Sequence, residues 1–505
     1  MPESQQEYAP ERHFVSNQKY EYTPTIFTGA FRLTSMTIRS KRHRLIEIDW
    51  PDFGHGSYPA KPPAIEFQRR IECVRSVMDN RGFTHFVVYG DREHFANLAY
   101  LTGFDPRFEE AFLVVARDGK PLLIVGNECD GYVSISPLFR GGQLRSERFQ
   151  SFSLLNQPRE QSRLLREILV GEGICATSSV GCAGWKYFSE PEHPDPLHSL
   201  DIPAYIADTL RDLAGRERVV NATDALMHPG YGLRSFCTPY DIAYFECTNV
   251  QASESLKRML FGMCEGMTDH AVIELARLNG EPLGCHVTFA TGDNAMRGLS
   301  SPSGELIRRG EPLSTNISYF GSNICRAGWI AHSERDLPEN ARDYVRSFAG
   351  PYFEAMNEWF GLLKPGVAGG RIWQLIQDRL PFGRFSVFLN PGHLIHLDEW
   401  LSSPIYLDSD VPLHAGMAIQ VDVIPSSPIY FSTRMEDGVV LADENLRAQL
   451  RATFPDCYQR CQARREFMTE ILGFELPDEV LPLSNTAGIV PPFFLTPNSM
   501  FALET

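Results

Sequence analysis

Two histidines and two carboxylates fall within the eleven residues Asn390–Trp400, NPGHLIHLDEW, beside a Pro-Gly turn. A cluster this dense needs a frame to hold it. Three other stretches supply one: LSTNISYFGSNICRAGW (Leu313–Trp329), MAIQVDVIP (Met417–Pro425) and RMEDGVVLAD (Arg434–Asp443). All three are rich in β-favouring residues, and alternate residues of a strand share one face of its sheet. One sheet surface can therefore collect the polar side chains of all four stretches. The chemical question is whether that surface holds a metal.

The 505 residues exceed what one hydrophobic core serves, so two or three domains are expected. A net charge of −16 argues against a nucleic-acid surface, which needs clustered Lys and Arg. No apolar run approaches the ~20 residues that span a bilayer. The start, MPESQQEYAPERH, has no basic segment leading into an apolar one. The expectation is a cytoplasmic protein with no membrane and no nucleic-acid partner. Eleven cysteines show no repeated spacing, and Cys457 with Cys461 lacks a second pair, which reads as reduced thiols. Phosphate-binding glycine motifs are absent.

Residues 1–60 are polar, aromatic and proline-bearing, and read as an extension wrapping a body or a partner. A helix is predicted from Pro63 to Asn80, with Ile65, Ile71, Val74 and Val77 facing inward. The strand THFVVYG follows, then the helix HFANLAYLTGFD and the hairpin AFLVVARDGKPLLIVG, which turns at Asp118-Gly119. A helix over Pro158–Gly171, the strand SSVGCAG and the helix AYIADTLRDLAG complete a mixed α/β unit. Thr238-Pro239 opens a new helix as cap and first residue. Another long helix is predicted over Pro338–Leu363. The tail PPFFLTPNSMFALET would be sticky if exposed, so it is expected to dock on its own body or on a second subunit.

Taken in order, FANLAYLTGF, FLVVARDGKPLLIVG, TPYDIAYFE, EGMTDHAV, the Asn-bearing hairpin and PGH resemble the creatinase/prolidase/methionine-aminopeptidase superfamily. The resemblance spans roughly residues 65 to 450. It implies a creatinase-type N-terminal α/β domain (61–235) followed by a pita-bread α+β domain (236–475). The extension (1–60) and the tail (476–505) flank them. It also implies a homodimer in which the N-domain of one subunit lids the site of the other.

Metallopeptidases of this superfamily hold two metal ions with two Asp, one His and two Glu. The matching positions here are Asn316, Asn323, His393, Asp422 and Glu436. The two asparagines lie seven residues apart, closer than the family spaces its aspartates. Two amides in place of two carboxylates remove charge that hard cations need. No dinuclear metal and no other cofactor is therefore expected, while a single ion on His393, Asp422 and Glu436 stays open. The family's proton-transfer histidine would fall on Leu299 or Ser300, and no histidine lies between His286 and His332. The later His-Glu pair of the family is met here as Asp398-Glu399.

The resemblance implies a creatinase-like hydrolase of a C–N bond in a small polar molecule. His393, Asp422 and Glu436 would be catalytic, with His393 as base and its pKa raised by the two carboxylates. Asn316, Asn323, His396, Asp398 and Glu399 would bind substrate. Two other readings remain: a non-catalytic binding protein with an inherited site, and an Xaa-Pro-type peptidase with one weakly held metal. Cys285 or Cys325 as a nucleophile is weighed against small buried residues in a sheet. Convergence of the five family positions would favour an altered site over a vestigial one filled by apolar side chains.

Overall fold

In the N-terminal half, the central strands are apolar without alternation because both faces of their sheet are covered. The computed structural model describes residues 41–504 except Ala60, so most of the expected extension lies outside the described residues. Six strands stand in the order Arg145–Arg148, Leu122–Val125, Ala111–Ala116, His85–Gly90, Val180–Ala183, Val219–Asn221. The middle three are antiparallel neighbours, and the flanking pairs are parallel. Phe86, Val88 and Leu113 pack into the main core, whereas Val87, Phe112 and Val114 build a second one with Ile206 and Leu210 of the helix Ala204–Ala214. Burial on both faces accounts for the unbroken run FVVY.

The first helix runs Ala64–Arg81 and buries Phe67, Ile71, Val74 and Met78. Ile65, expected inward, is 68% exposed, because it sits in the first turn off that stripe. The helix expected over 158–171 begins only at Leu165. The preceding loop is held instead by Arg159, which donates to the carbonyls of Ser153 and Leu154 at 3.0 and 2.9 Å.

The second half opens with the helix Pro239–Gly262, where Thr238 and Asp241 form a reciprocal cap. Asp241 also receives Arg70 of the first helix at 2.9 Å, which ties the two halves together. Two antiparallel four-stranded sheets follow. One has the order Arg434–Glu436, Ser322–Trp329, Pro312–Tyr319, Thr288–Thr291; the other His393–Leu394, Ala418–Gln420, Gly438–Leu441, Val480–Pro482. The stretch RMEDGVVLAD, expected as one strand, breaks at Asp437 and belongs to both sheets. The buried Asp437 carboxylate fixes that corner by accepting from Arg326 Nη2 at 2.7 Å and from the Thr486 hydroxyl at 2.8 Å.

The long helix expected over 338–363 is interrupted. A wide turn at Val345–Ala349 precedes the α-helix Gly350–Gly361. Pro351 has no N–H for the carbonyl four residues back, so the regular ladder cannot run through it. At the chain's ends, His43–Glu47 pairs antiparallel with Ser499–Leu503, and Phe493, Phe494 and Phe501 are buried. The apolar tail thus docks on its own body. Among the described residues, no helix is long and apolar enough to cross a membrane.

Candidate functional site

The corner between the two sheets gathers the family positions. Register places Asn316 opposite both Thr288 and Cys325, and Cys325 opposite Glu436. Asn323 is two residues from Cys325 on the same strand, so it shares that face. From the other sheet, His393 pairs with Gln420, whose side-chain amide donates to the Asn323 carbonyl and links the sheets. Gly392, before His393, has φ +118°, and a Cβ there would meet Trp359 at 2.9 Å. The Trp359 indole donates to the Pro391 carbonyl at 2.9 Å and pins this turn.

A backbone amide sets the direction of the hydrogen bonds. The Thr288 N–H donates to Asn316 Oδ1 at 2.7 Å, so the Asn316 amide nitrogen must face the other way. That nitrogen donates to Asn323 Oδ1 at 2.9 Å and to Cys285 Sγ at 3.1 Å. Asn323 must then present its own N–H groups to the carboxylates: Glu436 Oε1 at 2.6 Å and Glu399 Oε1 at 3.4 Å. Both asparagines are buried, and Asn316 has no group left over for a ligand.

His393 is fully buried and does not lie on an exposed turn, as its neighbour Gly392 suggests, but begins a short strand. Its ring stacks on Trp400 with centroids 4.0 Å apart. Nε2 is 3.3 Å from Glu399 Oε1 and 4.0 Å from Asp422 Oδ2, ion-pair contacts rather than aligned hydrogen bonds. Burial alone would lower the His393 pKa, but Glu399 and then Asp422 outweigh it and the net shift is upward. The carboxylate holding the ring is therefore Glu399, not the Asp422–Glu436 pair that the sequence suggests.

Burial pushes the Asp422 carboxyl up despite His393 and Arg434, and leaves Oδ1 without a partner. The Glu436 carboxyl is driven well above the usual range by burial, Asp422 and Glu399. For Glu399, burial is outweighed by His393, and its carboxyl lies low. Three acids here face the His393 ring and Arg434, and burial beside Asp422 and Glu399 favours the neutral form of Glu436.

Sequence reasoning missed Arg434, whose Nη1 lies 3.3 Å from Cys325 Sγ. The signal was present: Arg434 and Glu436 are two apart on one strand, hence on one face. Burial pushes the Cys325 thiol up to about 12 and the Cys285 thiol to about 11. Neither supplies a thiolate at neutral pH.

Two expected site residues lie elsewhere. Asp398 is bound to the buried Arg234, which also donates to Asn97 at 2.8 Å, so it fastens the N-terminal half. His396 is enclosed between the ring edges of Tyr100 and Phe245 at centroid distances of 5.4 and 5.0 Å.

A dinuclear centre does not fit these residues. One expected ligand is an amide turned nitrogen-first toward the carboxylates, and the other has its oxygen taken by Thr288. Among the described residues, one three-residue group remains as a candidate cation site: ligand atoms of His393, Glu399 and Glu436 lie within 4.8 Å of one another.

No protein-family model and no curated protein matches this sequence. Solved structures do match. Dipeptidase PepE from Mycobacterium ulcerans aligns with a TM-score of 0.57 at 18% identity, covering 76% of this chain and 95% of that one. The prolidase from Pyrococcus horikoshii gives 0.57 at 14%, over 74% and 95%. Aminopeptidase P from Escherichia coli gives 0.53 at 13%, over 78% and 99%. At such identities the likeness is one of fold. The chain carries the architecture of prolidases, Xaa-Pro dipeptidases and aminopeptidase P, a creatinase-type N-terminal domain followed by a pita-bread domain.

Proposed function

We propose that this protein is a creatinase-like hydrolase that cleaves a C–N bond in a small polar molecule without a dinuclear metal centre. The Asn323 amide, 2.6 Å from Glu436 where the fold's metallopeptidases place a ligand, carries this reading. His393, held protonated by Glu399, donates its proton to the departing nitrogen. Asp422, with one free oxygen and Arg434 to favour its anion, accepts a proton from the attacking water. The water oxygen bonds to carbon as the C–N bond breaks, so one proton enters at Asp422 and one leaves from His393. Neutral Glu436 and Asn323 orient the polar group of the substrate or its neighbours.

The test is hydrolysis of guanidino and ureido acids, creatine among them, followed by amine release with and without a chelator. Turnover that ignores the chelator and disappears in His393→Gln supports the proposal. Mn-stimulated cleavage of prolyl dipeptides would sink it. That outcome would favour the second reading, a single ion on His393, Glu399 and Glu436, to which their clustering within 4.8 Å lends support.

A further inference from the structure

A separate cavity of about 380 Å³ lies where the two halves meet, and none of Asn316, Asn323, His393, Glu399, Asp422, Arg434 and Glu436 lines it. Its walls are aromatic: Phe67, Phe95, Phe104, Tyr244, Phe245 and Phe320. They come from both halves, and Phe95 stacks on Phe320 with centroids 4.5 Å apart. His396 also lines this cavity.

His396 is 1% exposed, and neither ring nitrogen has a hydrogen-bond partner. Buried polar groups are almost always paired, so an imidazole with both nitrogens unmet calls for a partner from outside the chain. Burial, together with the Arg234 and Arg70 cations, lowers the pKa of this ring far below its ordinary value. It is therefore a neutral imidazole at pH 7, with one donor and one acceptor.

Two of the cations on the cavity wall, Arg70 and Arg107, are already paired, while Lys61 and Glu281 are exposed residues of opposite charge. Arg70 donates to Asp241 at 2.9 Å, to Glu66 at 3.2 Å and to the Tyr100 carbonyl at 2.9 Å. Arg107 lies 3.1 Å from Asp105. Neither arginine is a free cation for an anionic ligand. Ring walls around a buried, neutral donor–acceptor group describe a pocket for a neutral ring.

We propose that this cavity is a second ligand site, which takes a neutral ring-bearing small molecule whose single hydroxyl or carboxamide pairs with His396. It is independent of the hydrolytic reading, since it shares no residue with that site.

The probes are 4-methylphenol, toluene and benzoate, titrated into the full-length protein by calorimetry and followed by ligand-observed NMR. We expect saturable one-to-one binding of 4-methylphenol, with toluene and benzoate each at least tenfold weaker. In His396→Phe, 4-methylphenol should fall to the affinity of toluene. Ala99→Phe, which fills the cavity from its wall, should abolish binding of both while circular dichroism stays unchanged. The proposal is overturned if folded wild-type protein binds no probe saturably, or if benzoate binds tightest. Unchanged phenol affinity in His396→Phe would overturn it as well; if that variant does not fold, phenol binding that survives in Ala99→Phe has the same force.

Discussion

Asn323 donates its side-chain amide to Glu436 across 2.6 Å, at the point where two sheets of the pita-bread half meet. The contact puts a hydrogen-bond donor at the position where the family resemblance implies a carboxylate. Asn323→Asp removes that donor from Glu436 and sets a like charge beside Glu399. We expect a stability loss of about 1–3 kcal/mol at neutral pH. Millimolar Mn or Zn should return part of it. Urea denaturation with and without the ion checks both statements, and full dinuclear uptake by Asn316→Asp/Asn323→Asp would refute the geometric argument.

The unaltered protein should purify with well under one equivalent of Mn, Co, Zn or Fe. Elemental analysis that finds two tightly held ions per chain would contradict this.

Removal of His393 should cost both stability and any activity. The ring is buried and stacked on Trp400, so His393→Ala opens a void and leaves Glu399 without its cation. A loss of about 2–5 kcal/mol is expected. His393→Gln keeps more of the volume and should lose activity with a smaller change in melting temperature. Thermal melts of the two variants separate packing from chemistry.

Acidification should expose His396. Its folded pKa lies far below the unfolded value of about 6.5. Below that pH the unfolded chain binds a proton that the folded chain refuses. Stability is thus fully present above pH 6.5 and falls on acidification by up to about 1.4 kcal/mol per pH unit. His85, His228 and His414 shift in the same direction, so they add to the slope. His393 is shifted upward and opposes it. Urea midpoints between pH 7.5 and 5 should show a shallower acid slope in His396→Gln. An unchanged slope would mean that this ring titrates normally.

Much of the framework was legible because local chemistry and tertiary structure agree. The Thr238-Pro239 start and the Asp118-Gly119 hairpin each follow from caps and turns. The breaks were harder to read. RMEDGVVLAD looks like one strand, and only the buried partners of Asp437, Arg326 and Thr486, explain its division. At the site, order along the chain located Asn316, Asn323, His393, Asp422 and Glu436. It could not show that Glu399, and not its neighbour Asp398, turns toward His393. That choice depends on Arg234, more than 160 residues earlier, which captures Asp398.

The tail should bear real load. Phe501 is fully buried, edge-on to His43 and stacked on Phe353. Phe501→Ala is expected to destabilise by about 3–5 kcal/mol. Chemical denaturation measures it, and a change below 1 kcal/mol would show the tail to be a loose appendage.

The pairing of His43–Glu47 with Ser499–Leu503 also bears on how the protein is born. Asp49 and Asn498, in contact next to this ribbon, are 449 residues apart. During synthesis the first strand leaves the ribosome long before its partner exists, with one edge open to other chains. The ribbon can close only after residues 499–503 emerge, and any nascent chain stalled before residue 499 carries an unmatched edge. Truncated products should therefore be the ones that chaperones retain.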